Sequence, residues 1–140
     1  MILVDTNVLV AMADGRDGLH PVAKADYAEL QSERLLLITP VLAEACYILP
    51  WSHYRERLKS VIDEAGMQVY PLEDERRLWA EVFAWLDRYR EHEPDWTDAC
   101  LAVLCGRDKR LKVWTYDKEF ATIWRRPDGT KIPLAVKGRG

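Results

Sequence analysis

Cysteine, histidine and long apolar runs are all scarce in this chain, and each scarcity removes a class of protein. The three cysteines, Cys46, Cys100 and Cys105, cannot all pair with one another and form no Cys-x-x-Cys, which argues against a disulfide scaffold, a thiol-redox centre or a cysteine-rich zinc site. They read as small hydrophobes buried in a reducing compartment. His20, His53 and His92 lack metal-ligand spacing and fall in polar stretches, so they read as surface residues. No run approaches the roughly 18 apolar residues of a membrane span. The opening run Met1-Ile2-Leu3-Val4 stops at Asp5, too soon for a secretory signal. The chain reads as cytoplasmic, with no membrane partner. It also lacks internal repeats, low-complexity tracts and linkers, so residues 1–140 read as one domain.

Positive charge is short as well. Lys and Arg number 20 against 23 Asp and Glu, a net charge of −3, which by itself disfavours a polyanion binder. The charge is uneven, however. From Arg107 onward there are ten Lys/Arg and four Asp/Glu, leaving ten and nineteen in residues 1–106. A basic final quarter can meet a phosphate backbone beside an acidic site; the plain alternative is a solvated surface with uneven charge.

With 49% hydrophobic and 31% charged residues, the balance is that of a folded globule. Short apolar runs at 2–4, 35–38, 67–70 and 113–115 read as strands, with 132–136 a possible fifth. Helices are expected over 8–13, 20–33, 40–49, 54–64, 73–91 and 95–105. Thr39 stands as the N-cap of the third, with Pro40 at its first position. Leu78, Val82, Trp85, Leu86 and Tyr89 recur at helical spacing in the long helix. Strands alternating with helices imply an α/β fold, a parallel sheet covered on both faces.

Against this background four carboxylates are conspicuous. Asp5 ends the first strand, Glu44 is the only charge in residues 40–49, Asp98 precedes the apolar run 99–105, and Asp117 follows the strand at 113–115. A carboxylate near a buried face costs several kcal/mol unless it is paired or coordinates a cation. Each has a plain alternative: Asp5 and Asp98 as helix caps, Glu44 on a polar stripe, Asp117 opening a turn. Together they fit one acidic site, because ligands of parallel sheets bind beyond the carboxyl ends of the strands. Oxygen ligands of this kind suit hard divalent cations, and one or two such ions serve phosphodiester hydrolysis without a protein nucleophile.

The residues around these acids match a family pattern. Asp5-Thr6-Asn7-Val8-Leu9 resembles the opening motif of PIN-domain nucleases. Thr39-Pro40-Val41-Leu42-Ala43-Glu44 resembles the second motif, Asp98-Ala99-Cys100-Leu101-Ala102 the third, and Thr115-Tyr116-Asp117-Lys118-Glu119-Phe120 the last. The size is similar to that of VapC toxins from toxin–antitoxin pairs. The resemblance implies a PIN-like three-layer α/β/α fold with a central parallel sheet of four or five strands. It further implies a Mg2+- or Mn2+-dependent endoribonuclease acting on RNA, a homodimer held inactive by a VapB-type antitoxin. Asp5, Glu44, Asp98 and Asp117 would be its catalytic and metal-binding quartet. Thr6, Asn7, Asp95 and Thr115 would support them, Asp95 through an indirect contact.

Two other carboxylate folds fit poorly. A haloacid-dehalogenase-type phosphatase needs a second Asp where Asn7 stands, and a receiver domain needs adjacent acids after the first strand. The serious rival is a non-catalytic PIN-like module that binds RNA or protein. Among the six tryptophans, Trp79, Trp85 and Trp114 read as core or interface, and Trp96, beside Asp95 and Asp98, as the candidate for stacking on RNA.

Overall fold

A computed structural model describes residues 1–136. The elements in order are β1 (Ile2–Val4), α1 (Thr6–Ala13), α2 (His20–Glu29), β2 (Leu35–Leu37), α3 (Thr39–Ile48) and α4 (Ser52–Glu64). They continue with β3 (Gln68–Val69), α5 (Glu75–Arg88), a 3-10 turn (Arg90–His92), α6 (Trp96–Arg107), β4 (Lys112–Trp114) and α7 (Glu119–Thr122). The four strands form one sheet in the order β3-β2-β1-β4, with every pairing parallel. Ile2, Leu3, Val4, Leu35, Leu36 and Leu37 are all buried, as expected of strands covered on both faces. Helix α1 packs on α2, α3 and α4, while α5 packs on α6. The α/β fold expected from the alternating pattern is what forms, with four strands.

Several boundaries differ from expectation for local reasons. The possible fifth strand at 132–136 reduces to one parallel bridge between Val113 and Leu134. The Val113 N–H donates to the Pro133 carbonyl and the Ala135 N–H to the Val113 carbonyl, each at 2.9 Å. Pro133 has no N–H with which to lengthen the ladder. Thr39 is the first residue of α3 and not its cap; Ile38 holds that position in extended backbone, without a side-chain bond. Helix α2 stops at Glu29, short of residue 33. The long helix covers Glu75–Arg88 within the expected 73–91, then tightens into the 3-10 turn. Helix α6 runs past Gly106 to Arg107. A Cβ at Gly106 would lie 2.8 Å from Pro127 Cδ, so the glycine there lets the chain beyond α7 approach the helix.

The aromatic positions of α5 divide. Trp85 is buried with Leu78 and Val82, while Trp79 and Phe83 are 47% and 63% exposed. The Trp85 Nε1–H donates to the Arg125 carbonyl at 2.8 Å, and its ring meets Trp124 edge-on at 5.3 Å. Trp85 thereby clamps the segment after α7 onto the long helix. Trp85→Ala is expected to lower the unfolding free energy by about 3–5 kcal/mol, and Trp85→Phe by clearly less, measured by urea denaturation; equal losses would show that the ring volume is not what matters.

Candidate active site

The sheet's order reverses beside β1: the chain builds β2 and β3 on one side, then returns to add β4 on the other. The carboxyl ends of β1 and β4 therefore flank a crevice of the kind where parallel α/β folds bind ligands. Val4 pairs with Trp114, and the Asp5 N–H extends the ladder to the Trp114 carbonyl at 2.9 Å. The next residues, Asp5 and Thr115, consequently lie side by side.

Asp5 is 5% exposed and caps α1, with its Oδ1 accepting from the Thr6 N–H at 2.7 Å. Its Oδ2 accepts from Thr115 Oγ1 at 2.7 Å and from Asn7 Nδ2 at 3.4 Å. Asn7 Nδ2 also donates to Thr115 Oγ1, and Asn7 Oδ1 accepts from the Tyr116 N–H at 3.1 Å. The capping and site-forming roles of Asp5 thus coexist in one carboxylate.

The other acids are each gripped through one oxygen. Glu44, one turn into α3, accepts from Thr97 Oγ1 at 3.2 Å through Oε2. Asp95 is the N-cap of α6 and forms a capping box with Asp98: the Asp98 N–H donates to Asp95 Oδ1 at 2.8 Å, and the Asp95 N–H to Asp98 Oδ2 at 3.3 Å. Asp117 Oδ1 accepts from the Glu119 N–H at 2.9 Å, and the Asp117 N–H donates to Thr115 Oγ1. Each of these four carboxylates keeps a second oxygen without a protein hydrogen bond among the described residues.

Asp5, Thr6, Asn7, Glu44, Asp95, Asp98 and Asp117 line one cleft of about 250 Å³, together with Val10, Asp17, Leu19 and Ile48. Thr115 stands behind it, bonded to Asp5, Asn7 and Asp117. The eight residues singled out in the sequence are therefore brought together, and Asp95 faces the same cleft as Asp98. Three participants were not foreseen, the first being Thr97, the hydroxyl partner of Glu44. Asp17, in what read as a plain loop, lines the cleft while its Oδ1 accepts from the Leu19 N–H. Asp26 on α2 is 1% exposed and accepts from the Tyr116 hydroxyl at 2.8 Å, which itself accepts from Trp114 Nε1–H at 3.1 Å. This link anchors the Thr115–Asp117 turn to α2. No local pattern marks a partner 90 residues away.

Other expectations need correction. His20 is half-buried, and its Nδ1–H donates to the Ala11 carbonyl at 2.7 Å, tying the start of α2 to α1; it is a structural residue. Trp96 packs edge-on against Phe83 at 5.1 Å and lines a separate groove with Trp79, outside the acidic cleft. In the basic final quarter Arg107 pairs with Glu81, Lys109 with Asp128 and Arg110 with Asp108, while Lys112, Lys118, Arg125, Arg126 and Lys131 have no ion pair among the described residues. Lys137 and Arg139 lie outside the described residues. Cys100 and Cys105 are buried free thiols, and desolvation pushes each thiol up to about 12, so neither is a reactive nucleophile.

The cleft's electrostatics are unfavourable as they stand. Burial pushes the Asp5 carboxyl up to about 6 despite the lowering bonds from Thr115 and Thr6, with Asp95 and Glu44 adding repulsion. Asp98 is raised well above the ordinary carboxylate range, first by desolvation, then by the charges of Asp95, Asp5 and Asp117. The Thr6 hydroxyl, buried at the wall, has no hydrogen-bond partner among the described residues. All-oxygen donors, mutual repulsion and an unmet hydroxyl fit a hard, partly hydrated cation. No three His, Cys, Asp or Glu side chains among the described residues form a ready-made cage, so an ion here would keep much of its water, as Mg2+ does.

The chain belongs to the PIN-domain family, whose model matches residues 2–124. Among solved structures it is similar to Mycobacterium tuberculosis VapC20, a sarcin–ricin loop cleaving toxin, at 22% identity and a TM-score of 0.69. That match covers 86% of this chain and 93% of the other and shows a shared fold. No curated protein matches the sequence. Among the described residues, no helix is long and apolar enough to cross a membrane.

A stability test follows from the raised carboxyls. A carboxyl whose folded pKa is raised favours folding while protonated, and that contribution is lost as pH rises through the folded value. In chelator, the melting temperature should therefore fall as pH rises from about 4.5 to about 7, through the Asp5 value of about 6. Mn2+ should restore it most at the alkaline end, and Asp98→Asn should flatten both effects. Differential scanning fluorimetry reads all three; an Mn2+ effect equal across the pH range would contradict the electrostatic account.

Proposed function

We propose that this chain is a divalent-metal-dependent endoribonuclease, the toxin of a VapBC-type pair. The observation that carries this is the gathering of Asp5, Glu44, Asp98 and Asp117 around one cleft at the β1/β4 switch point. Membership of the PIN family and the fold shared with a sarcin–ricin loop cleaving toxin support the same reading. The quartet would hold Mg2+ or Mn2+, and such an ion supplies Lewis acidity toward a phosphate oxygen and acidifies water.

The chain's own residues do the positioning. Thr115 and Thr6 fix Asp5 through both of its oxygens, whereas Thr97 fixes Glu44 and the Asp95 N–H fixes Asp98 through one oxygen each, leaving the other oxygen of each free of protein hydrogen bonds. Already held by hydrogen bonds, each side chain loses little further freedom on meeting its ligand, which is the benefit of preorganisation. Asp95 acts as cap and negative neighbour to Asp98, and Asn7 braces the Tyr116 backbone. The Tyr116–Asp26 bond keeps Asp117 at the cleft without touching it. A VapB-type antitoxin and a homodimer accompany this assignment. The exposed Trp79 and Phe83 of α5 support a helical face for self-association.

Cleavage of single-stranded RNA should require Mn2+ or Mg2+ and stop in EDTA. Asp5→Asn and Asp98→Asn should each lower the rate by at least about a hundredfold, as loss of a preorganised electrostatic group does. A parent protein that binds RNA but never cuts it, with or without metal, would identify a non-catalytic PIN-like module instead. Tyr116→Phe should reduce kcat by roughly tenfold and leave the Mn2+-dependent melting shift in place; an unchanged kcat would remove Asp26 from any positioning role.

A further inference from the structure

Asp17 is the sixth acid of the cleft and the one that lies in a loop between helices, α1 and α2. Its backbone is held on both sides: the Asp17 N–H donates to the Asp14 carbonyl at 3.0 Å, and the Asp17 carbonyl accepts from the His20 N–H at 2.9 Å. Its Oδ1 accepts from the Leu19 N–H at 2.8 Å, while Oδ2 has no hydrogen bond among the described residues. The loop before it is braced by Asp14, whose Oδ1 accepts from the Arg16 N–H at 3.0 Å and from the Tyr54 hydroxyl at 3.4 Å. Arg57 adds a bond to the Ala13 carbonyl at 3.3 Å. Asp17 thus meets the cleft from a fixed turn, with one oxygen unengaged.

A half-buried carboxylate such as Asp17 ordinarily takes a cation as its partner. Arg16 is adjacent in sequence, yet its guanidinium turns to Tyr54, donating to the hydroxyl and lying 5.8 Å from the ring centre, with Nε 3.6 Å from Asp14. Asp17 itself has no ion pair among the described residues. A separate group points the same way. Thr6 lines the same cleft, is 3% exposed, and its hydroxyl has no partner among the described residues. The charges that weigh most on Asp5 are Asp95 and Glu44, and those on Asp98 are Asp95, Asp5 and Asp117. Asp17 is in neither set, as expected of an acid set apart from the quartet. The other lining residues near it in sequence or on α3, Val10, Leu19 and Ile48, are apolar. Mg2+ keeps several of its waters when bound, and each is a donor that needs an acceptor.

We propose that Asp17 is a positioning residue for the hydrated cation: its free oxygen accepts a hydrogen bond from a water of the ion's hydration shell, while the quartet ligates directly. This rests on reading the cleft as a metal centre. Partners outside the ligand set orient what the ion carries and raise its affinity. Arg16 contributes by being held elsewhere, since its bonds to Tyr54 and Asp14 keep a guanidinium from neutralising Asp17.

Isothermal titration calorimetry of the metal-free protein with Mn2+, in the absence of RNA, tests this. Asp17→Asn keeps an acceptor for the Leu19 N–H and removes the charge. It should weaken Mn2+ binding by roughly tenfold, and the loss should persist in about 0.5 M KCl, where long-range attraction is screened. Hexaamminecobalt(III), whose ammine ligands donate hydrogen bonds and are not displaced, should bind the parent and lose affinity for the variant by a similar factor. The melting temperature of Asp17→Asn in EDTA should not fall below that of the parent, which a merely structural role would not predict. Asp98→Asn is the reference for direct ligation and should weaken Mn2+ binding further. If Asp98→Asn loses Mn2+ while Asp17→Asn binds it as the parent does, the Asp17 contact is refuted and the metal centre stands. If Asp17→Asn loses Mn2+ but keeps hexaamminecobalt(III), Asp17 is a direct ligand and the contact through water is refuted. If the parent binds no Mn2+, both fall. If both ions bind as expected and RNA stays uncut, the contact stands and the nuclease assignment alone falls.

Discussion

The parallel pairing of β1 with β4 sets Val4 opposite Trp114, and from that register the site follows. One residue further along each strand, Thr115 donates to Asp5 across a sequence separation of 110 residues. Thr115 also receives the Asp117 N–H, so a single hydroxyl links the two ends of the quartet. A slip of one residue would exchange the faces of every β4 side chain, turning Trp114 out of the core and Thr115 away from Asp5. The hydrophobic burial of Val113 and Trp114 is therefore what holds the polar site in register.

The acids themselves oppose folding. Asp5 and Asp98 are destabilised by burial and by their neighbours, and desolvated like charges cost more than the few hydrogen bonds around them return. Thr6, Thr97, Thr115 and the α6 capping box limit that cost without removing it. A site of this kind resists collapse because its members repel, which keeps the cleft open to ions and water. Stability and function pull in different directions here, as they often do where strain serves a site.

How much of this was legible in the sequence depends on the range of the interactions involved. Asp5, Glu44, Asp98 and Asp117 announced themselves because each lies within or at the end of an apolar run, and the parallel α/β fold followed from short continuous apolar runs alternating with segments of helical spacing. The Asp95–Asp98 capping box lay three residues apart and was visible in outline, although Asp95 as a cap said nothing of its place in the cleft. Asp26 gave no signal, since its partner Tyr116 is distant in sequence and an Asp in a surface helix looks solvated. Trp96 stands near Asp98 in sequence, yet one residue past the cap the helix turns its ring toward Phe83, which sequence adjacency does not reveal.

The short contact at the sheet's far border has a bearing on solubility. Strand β4 would end the sheet with open N–H and C=O groups, yet Pro133 and Ala135 occupy the Val113 positions. At the other border β3 is only two residues long and runs into Pro71. Both margins are thus closed to a further strand, one by the chain's own tail and one by brevity and proline. A folded chain with such margins offers neighbours little to add onto, so cross-strand aggregation should begin only where residues 132–136 come away from β4.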